Sequence, residues 1–288
     1  MKKRASAYRI LILGASGFVG NALYKELLPY FDVRGTYCQQ AGLYAENKVF
    51  YKFNVEKDAI SGILQDVKPD IIISSLRGNF EDQFRVHQAL CDYVVQKPSL
   101  KLLFISTVNV FDGNEKYPSY EDDMPHAESA YGKSKLSIEK MLGQLPPDQY
   151  AILRLPLVLG VNAPRIHQLK QASKNKTTFE VYPNLIISTT TVDKIAQQIH
   201  YIINKNCFGI FHLASDDVIH HEDLFVEITQ KLGLNFPIFK SVYNTNHDRY
   251  LALLARKNKL PEPYGIKVSD VIDACTLKEE IITLKDKK

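Results

Sequence analysis

The chain has 288 residues, of which 45% are hydrophobic and 24% charged, so it is long enough to bury a sizeable core and to hold more than one domain. Its formal net charge of +4 includes three positive charges at residues 2–4 and a net two at residues 285–288, which leaves −1 on residues 5–284. We therefore expect solvated basic tails and no basic surface for nucleic acid on the folded body.

The four cysteines are scattered without C-x-x-C spacing: Cys38, Cys91, Cys207 and Cys275. The sequence therefore predicts neither a disulfide framework nor a zinc site, and a reducing cytoplasm fits this cysteine usage. The N-terminal stretch MKKRASAYRILILG begins like a secretion signal, but its apolar run is short and leads into GASGFVG, so we interpret it as a first strand. Apolar runs stay well below the roughly 18 residues of a membrane-spanning helix, so we expect no membrane insertion.

Strand patterns alternate with helix patterns from Tyr8 to Leu155, which is typical of βαβ units on a parallel sheet. The predicted strands are YRILIL, VRGTY, VFYKF, DIIIS, KLLFIS and YAILRL, and several are apolar throughout, as strands covered on both faces are. Helix-period apolar positions lie between them in GNALYKELLPY, at residues 56–67 and at residues 80–96. The sequence therefore predicts a dinucleotide-binding domain over residues 1–160.

Prolines interrupt the pattern after RLPLVLG, so a smaller substrate-binding region is predicted over residues 161–288. Within it, the helix TVDKIAQQIHYII and the strand GIFHLAS look like the first domain's architecture, so a segment at about residues 186–215 is expected to return to that domain. The predicted fold class is α/β: a Rossmann-like doubly wound parallel sheet with a smaller, partly interleaved C-terminal domain.

A glycine-rich loop in LILGASGFVGNALYKELL places Gly14, Gly17 and Gly20 between an apolar strand and an amphipathic helix. Glycine lets the backbone turn tightly and approach a pyrophosphate, to which the helix N-terminus offers free N–H groups and a partial positive charge. Phe18 and Val19 are expected beside the cofactor as the first helical side chains. The alternative is a glycine-rich turn without a ligand.

The second predicted strand ends in GTYCQQ, where folds that select NAD usually hold the ribose with an acid about 20 residues beyond the loop. Because no acid is present, NADP is not repelled. Arg34 or a residue near Gln39 is a candidate for its extra phosphate, although Arg34 could equally be a solvated strand residue. The sequence favours NADP, with NAD as the alternative.

Tyrosine and lysine recur at the spacing of a catalytic pair in four places, so spacing alone cannot select one: Tyr44/Lys48, Tyr93/Lys97, Tyr131/Lys135 and Tyr201/Lys205. Tyr93 and Tyr201 read as interfacial residues of amphipathic helices, and Tyr44 lies in a polar connection. Tyr131, in contrast, lies on a predicted helix that follows a strand ending in Ser106 and Thr107.

Together with the glycine loop, LLFISTVNVFDG followed by SAYGKSK resembles the extended short-chain dehydrogenase/reductase superfamily, which includes the NAD-dependent epimerases and dehydratases. The chain is most similar to the dTDP-4-dehydrorhamnose reductase branch, which carries Ser-Thr-Asp-Tyr-Val-Phe-Asp-Gly at the matching place. ILRLPLVLG and LIISTTTVDKIAQQI with GIFHLAS resemble later segments of that branch. The resemblance therefore selects Tyr131 among the four tyrosines.

Reducing a ketone by hydride transfer leaves an alkoxide, so a proton donor and a second hydrogen-bond donor must stand beside the carbonyl oxygen. A lysine ammonium one turn from a tyrosine favours the phenolate, which is otherwise scarce at neutral pH because the free pKa is about 10. The predicted roles are Tyr131 as general acid, Lys135 as its partner and Thr107 as the carbonyl donor, with Ser106 as the alternative donor. The competing interpretation is a structural helix pair beside two strand-end hydroxyls.

The resemblance also implies a cofactor-binding set and no metal site: Gly14, Ser16, Gly17, Phe18, Val19, Gly20, Asn54, Val55, Ser75, Leu76, Tyr131, Lys135 and Pro156. Several positions depart from the branch. Val108 and Asn109 replace an acid and an aromatic residue, which disfavours dehydration because an Asp-Glu pair is missing. Residues 74–77 form a bulkier cofactor wall, His87 replaces an asparagine that braces the catalytic helix, and Asn54 replaces an aspartate near the adenine.

The function that the resemblance implies is NAD(P)H-dependent reduction of a keto group on a nucleotide-linked sugar or another small carbonyl substrate. The alternatives are a nucleotide-sugar epimerase and a non-catalytic NADP-binding regulatory subunit, since the β subunit of methionine adenosyltransferase resembles the same branch. A homodimer is expected through helices at 80–96 and 127–144. VIHHEDLF reads as the polar start of a helix rather than a metal site, and DGNEKYPSYEDDMP as a solvated rim.

Overall fold

A computed structural model describes residues 8–39, 41–44 and 46–277, so the two predicted basic tails lie outside the described residues. Its strands are β1 (Arg9–Leu13), β2 (Asp32–Tyr37), β3 (Phe50–Lys52), β4 (Ile71–Ser74), β5 (Lys101–Thr107), β6 (Tyr150–Leu155), β7 (Leu157–Leu159), β8 (Thr178–Val181), β9 (Leu185–Ile187), β10 (Thr189–Thr191), β11 (Gly209–His212), β12 (Ile219–His220), β13 (Ile238–Ser241) and β14 (Arg249–Leu251). Its helices are α1 (Phe18–Leu27), α2 (Ala41–Tyr44), α3 (Ser61–Val67), α4 (Phe80–Val95), α5 (Ala130–Leu142), α6 (Pro164–Asn175), α7 (Val192–Asn204), α8 (His221–Lys231) and α9 (Val268–Cys275). Short 3₁₀ turns cover Val108–Phe111 and Glu262–Tyr264.

A seven-stranded sheet in the order β3-β2-β1-β4-β5-β6-β11 forms the centre of the molecule, and each of its pairings is parallel. Six of its strands have the order of the dinucleotide-binding fold, which reverses between β1 and β4. The predicted α/β class with a Rossmann-like parallel sheet is therefore confirmed, and all six predicted strands of the first region are present.

Both faces of the sheet are covered by helices. Ile10 and Ile12 of β1 contribute to a core with α1 and α7, whereas Leu11 and Leu13 contribute to a second core with α3, α4 and α5. Alternate side chains of a strand point to opposite faces, so a strand buried on both sides is apolar at each position. This explains why β1 carries no polar residue after Arg9.

The predicted helix over residues 56–67 begins only at Ser61. The residues before it form a turn, in which the Asn54 side chain accepts the N–H of Glu56 and the Asn54 carbonyl accepts the N–H of Asp58. Asparagine binds its own backbone in this way at turns, which competes with helix formation.

The second region consists of α6, α8 and α9 around a separate core, with β8 paired to β13 and β9 between β12 and β14. From within this region, β11 pairs with β6 and α7 packs on α1, so the chain contributes again to the large sheet. The exact division at residue 160 stays a prediction. Among the described residues, no helix is long and apolar enough to cross a membrane.

Candidate active site

A cavity of about 660 Å³ lies at the carboxyl ends of β1, β4 and β5, between the large sheet and the second region. Parallel sheets commonly bind ligands at this edge, where the strand order reverses. Fourteen of the predicted site residues line it: Gly14, Ser16, Gly17, Phe18, Val19, Gly20, Val55, Ser75, Leu76, Ser106, Thr107, Tyr131, Lys135 and Pro156. Asn54 does not, because its side chain is used in the turn before α3.

The glycine loop turns sharply between β1 and α1. Gly14 has a φ of +79°, and its carbonyl accepts the N–H of Gly17 at 3.0 Å. A Cβ on Gly20 would lie 2.2 Å from the Gly14 carbonyl oxygen, so a glycine is required for the helix to approach the loop this closely. The first turn of α1 has neither a side-chain cap nor an acid, which leaves its N–H groups facing the cavity end without a competing negative charge.

The end of β2 forms the far wall of the cavity through Thr36, Tyr37 and Cys38, and none of these side chains is acidic. The Thr36 hydroxyl oxygen accepts the N–H of Gly14 at 2.9 Å, which ties β2 to the glycine loop. Arg34 lies outside the lining and instead donates to Asp32 at 3.0 Å. Arg34 therefore behaves as the strand-surface residue that the sequence offered as its alternative role.

The start of α5 is held against the turn after β5. Ser129 caps the helix by accepting the N–H of Gly132 at 3.0 Å. A Cβ on Gly132 would lie 2.1 Å from the carbonyl oxygen of Asn109, so the glycine between the tyrosine and the lysine allows this contact. The adjacent Tyr131 lines the cavity with 42% of its surface exposed.

Lys135 lies one turn further along α5, and only 5% of its surface is exposed. Its Nζ is 3.4 Å from the carbonyl oxygen of Ile105 and 4.8 Å from the ring centroid of Phe104. Burial, followed by the positive charge of Arg77, lowers the pKa of Lys135 to about 8, while the Glu139 carboxylate opposes this shift. The ammonium is therefore charged at neutral pH but close to losing its proton.

The two candidate carbonyl donors at the end of β5 differ in their partners. Ser106 donates its hydroxyl proton to Glu139, and Glu139 forms a buried ion pair with Arg154 at 2.8 Å. Thr107 donates to the side-chain oxygen of Asn109 at 3.0 Å, and both residues line the cavity. The geometry therefore favours Thr107 as the residue whose hydroxyl can be offered to a ligand.

His87 is completely buried beneath this site. Its Nδ1 is 2.6 Å from the Gln83 carbonyl oxygen and its Nε2 is 2.9 Å from the Ser74 hydroxyl. Burial lowers the pKa of His87 to about 4, so the neutral ring donates from Nδ1 and accepts at Nε2. Its ring stands edge-on to Phe104 at 4.9 Å. His87 thus braces β4 and β5 beneath Lys135, with both ring nitrogens occupied.

The other tyrosine–lysine pairs make structural contacts. Lys97 donates to the Tyr93 hydroxyl at 2.7 Å on the surface of α4. Tyr201 packs against Tyr264 with ring centroids 4.4 Å apart, and Tyr44 packs against the core on the α1 face. Of the four tyrosines in the pattern, Tyr131 is the one that lines the cavity.

The acidic loop over residues 112–125 is only in part the solvated rim that its composition predicts, because Tyr117 and Met124 are exposed but Glu121 is not. Glu121 is 4% exposed, and its carboxylate accepts backbone N–H groups of the C-terminal segment: Arg256, Lys257 and Asn258. A carboxylate that accepts several backbone donors is well satisfied when buried. The loop therefore anchors the second region beside α5.

The cavity residues that sequence reasoning missed include two with basic side chains, Arg165 at the start of α6 and His221 at the start of α8. HHEDLF was correctly interpreted as the start of a helix, but the pattern could not tell that His221 turns inward while His220 faces Asp223 and Asp248. No group of three or more potential metal ligands occurs in the described part of the chain.

Charge is distributed unevenly around the cavity. Its described lining includes Arg77, Lys135 and Arg165 but no aspartate or glutamate. This cationic cavity belongs to a chain whose residues 5–284 carry a net charge of −1. A low-dielectric cleft lined by one sign of charge attracts ligands of the opposite sign. The cavity is therefore suited to anionic ligands.

Comparison with known proteins identifies related sequences and folds. The family model described as RmlD substrate binding domain matches residues 85–259. The dTDP-4-dehydrorhamnose reductase of Aggregatibacter actinomycetemcomitans is 25% identical over 290 residues, which cover 91% of this chain and 95% of that protein. The methionine adenosyltransferase 2 subunit beta of Danio rerio is 31% identical over 163 residues, which cover 53% of this chain but only 48% of that protein.

A solved structure gives the same picture of the fold. The crystal structure of dTDP-4-dehydrorhamnose reductase from Bacillus anthracis in complex with NADP has a TM-score of 0.72 at 18% identity, and the match covers 93% of this chain and 98% of that chain. At this identity the likeness supports the fold rather than the activity. The match of the family model, in contrast, extends over more than half of the chain.

Proposed function

The chain belongs to the RmlD substrate binding domain family, and from that premise we propose that it reduces a keto group on a nucleotide-linked sugar with NADPH. The observation that carries this proposal is that one cavity contains both the glycine loop and the Thr107, Tyr131 and Lys135 side chains. The full-length similarity to a dTDP-4-dehydrorhamnose reductase supports the same substrate class.

The residues of the cavity fit a dinucleotide. The close approach of Gly20 to Gly14 leaves a cradle without side chains, and the uncapped first turn of α1 suits a pyrophosphate. NADP is favoured because the wall formed by the end of β2 has no acid to bind a free ribose hydroxyl, and NAD remains the alternative. When bound, the reduced cofactor would supply the hydride.

The side chains of α5 and β5 would handle the proton. Thr107 donates a hydrogen bond to the carbonyl oxygen once its present partner, Asn109, releases it. Tyr131 then transfers its phenolic proton to the oxygen as negative charge develops there. The buried ammonium of Lys135 stabilises the resulting phenolate, because an opposite charge in a low-dielectric site favours the ionised form.

The test is NADPH oxidation on addition of a dTDP-4-keto-6-deoxy sugar, with NADH as the cofactor control. We expect oxidation by the natural sequence and a loss of about 10²- to 10⁴-fold in Tyr131→Phe, which is the usual range for removing a general acid. Tyr93→Phe is a matched control, because Tyr93 belongs to a Tyr-x-x-x-Lys pair outside the cavity. Interconversion of sugars without net NADPH oxidation would instead support an epimerase.

A second candidate function is that of an NADP-binding regulatory subunit, and the similarity to methionine adenosyltransferase 2 subunit beta favours it. This function needs the cofactor cradle but not the acid. NADPH binding without turnover, indifference to Tyr131→Phe and a stable complex with a larger enzyme on co-purification would together support it over the reductase.

The proposal also covers the oligomeric state of the protein and its cellular compartment. We propose a homodimer through α4 and α5, which pack on each other and expose Phe80 and Phe84 at 39% and 42% of their surfaces. Sedimentation should detect a dimer that Phe84→Glu dissociates. Each of the four cysteines is free, which fits a reducing cytoplasm.

A further inference from the structure

We propose that Arg165 and His221 form a subsite that binds a phosphate group of the substrate. This inference rests on the proposed function, because it assigns the substrate end of the same cavity. Arg165 and His221 belong to α6 and α8 of the second region, whereas the glycine loop that suits the cofactor pyrophosphate belongs to β1 and α1. The subsite is therefore built from other elements than the cofactor cradle.

The Arg165 guanidinium is held in place without an acidic partner within ion-pair distance among the described residues. It stacks over the Phe179 ring at 4.0 Å. One terminal nitrogen donates to the Glu180 carbonyl oxygen at 2.5 Å and the other to the Gln168 side chain at 3.1 Å. A guanidinium has five N–H donors, so three remain for a ligand. Arg165 therefore lines the cavity as a fixed cation with unused donors, while its present partners Gln168, Phe179 and Glu180 line a neighbouring groove.

His221 supplies a second donor of known direction. Its Nδ1 accepts the backbone N–H of Tyr182 at 3.3 Å, and its ring packs on Phe225 with centroids 4.9 Å apart. Burial, followed by the charge of Arg165, lowers the pKa of His221 to about 4, so the ring is neutral at pH 7. Because Nδ1 is the acceptor, the proton is on Nε2, which has no described partner.

The surroundings favour a ligand that is anionic at one end and apolar beside it. Leu185, Ile187 and Leu251 line the same cavity, and its described lining has no acid; the Glu180 carboxylate, which attracts Arg165, lies outside that lining. The first turn of α6 also lacks an acid, which leaves the positive end of that helix unopposed. A phosphate has enough oxygens to accept from both a guanidinium and an imidazole N–H.

The subsite is tested by calorimetric titration of the NADPH-saturated protein with dTDP. We expect Arg165→Gln to weaken dTDP binding by about 10- to 100-fold, the cost of losing a charge-assisted hydrogen bond, while thymidine binding and NADPH affinity stay unchanged. Lys174→Gln is the control, because it removes one exposed charge from the same helix outside the cavity. Equal dTDP affinity in Arg165→Gln and the natural sequence would overturn the proposal.

Two substitutions of His221 separate its ligand contact from its structural contact. An asparagine can retain the acceptor for the Tyr182 N–H but loses the donor at the Nε2 position, whereas a glutamine can retain a donor there. We therefore expect His221→Asn to weaken dTDP binding more than His221→Gln at equal thermal unfolding midpoints. The reverse order would contradict the assignment.

Glucuronate provides a second titration, because a carboxylate is the other oxyanion that a sugar substrate could offer. If glucuronate binding depends on Arg165 and dTDP binding does not, the phosphate assignment is wrong. None of these measurements requires turnover. A protein that binds dTDP through Arg165 but oxidises no NADPH would refute the reductase and retain the subsite, whereas a dTDP affinity that is insensitive to Arg165 in a protein that does oxidise NADPH would refute the subsite alone.

Discussion

The two regions of the molecule contribute to the cavity in different ways. In the first region, over residues 9–155, the lining comes mainly from the carboxyl ends of long parallel strands and from the helices that follow them. In the second region it comes from the starts of α6 and α8 and from three-residue strands such as β9 and β14. The cofactor side is thus built from regular units, and the substrate side from short pieces paired at long range.

This difference has a physical consequence for the two kinds of ligand. A glycine loop and a helix N-terminus present backbone groups, which any sequence with the right backbone provides. Arg165 and His221 act through side chains whose directions depend on packing against Phe179 and Tyr182. We therefore expect cofactor binding to be sensitive to changes in the backbone of the first region. In the second region, we expect replacement of single side chains to change which ligand is preferred.

The largest expected effect is a loss of stability when a buried ion pair of the first region is broken. An exposed ion pair of the second region provides the comparison. Glu139→Ala leaves Arg154 buried without its partner, which should lower the free energy of unfolding by about 3–5 kcal/mol. Lys240→Ala removes the exposed contact with Glu180 and should cost less than about 1 kcal/mol. Urea unfolding measures both changes.

A combined variant makes the Glu139 comparison sharper. Replacing Glu139 and Arg154 together with leucine and methionine removes both charges and keeps an apolar interior. If the cost of Glu139→Ala comes from the unpaired charge, the double variant should recover much of the stability. Equal losses in the single and double variants would show that packing, not charge, sets the cost.

The contrast between regular local units and pieces paired at long range also explains which features the sequence could predict. The six strands and the glycine loop were predictable because each depends on residues close together in the chain, whereas Tyr131 was selected among four similar pairs only by the family resemblance. Glu139 was missed because its partners Ser106 and Arg154 are 33 and 15 residues away and become neighbours only in the folded sheet. Arg165 was missed because nothing in PRIHQL indicates which helix face meets the cavity.

The second prediction compares two glycines. Gly20→Ala places a Cβ 2.2 Å from the Gly14 carbonyl oxygen, so α1 must move, and we expect a loss of about 1–3 kcal/mol together with a large loss of NADPH affinity. Gly233 of the second region has open space around it but a φ of +61°, so Gly233→Ala should cost about 1 kcal/mol through backbone strain alone. Urea unfolding and NADPH titration separate the two causes, and normal NADPH affinity in Gly20→Ala would contradict the close-contact argument.

The smallest effect concerns Arg77, which lines the cavity and belongs to the first region. Because the charge of Arg77 helps to lower the pKa of Lys135 to about 8, Arg77→Gln should raise that pKa. If the reductase requires the Lys135 ammonium, the alkaline limb of kcat/KM moves to higher pH, by an amount below about one pH unit. Lys140→Gln, which removes an exposed charge from the same helix as Lys135, should leave the alkaline limb in place.

The pH dependence of stability tests the same effect of Arg77 without turnover. The folded pKa of Lys135 is below its ordinary value of 10.5, so the unfolded chain binds more protons than the folded chain between about pH 8 and 10.5. Through Lys135, the free energy of unfolding therefore rises with pH in that window. This rise should be smaller in Arg77→Gln than in the natural sequence. An unchanged pH profile together with an unchanged rise in stability would show that Arg77 does not act on Lys135.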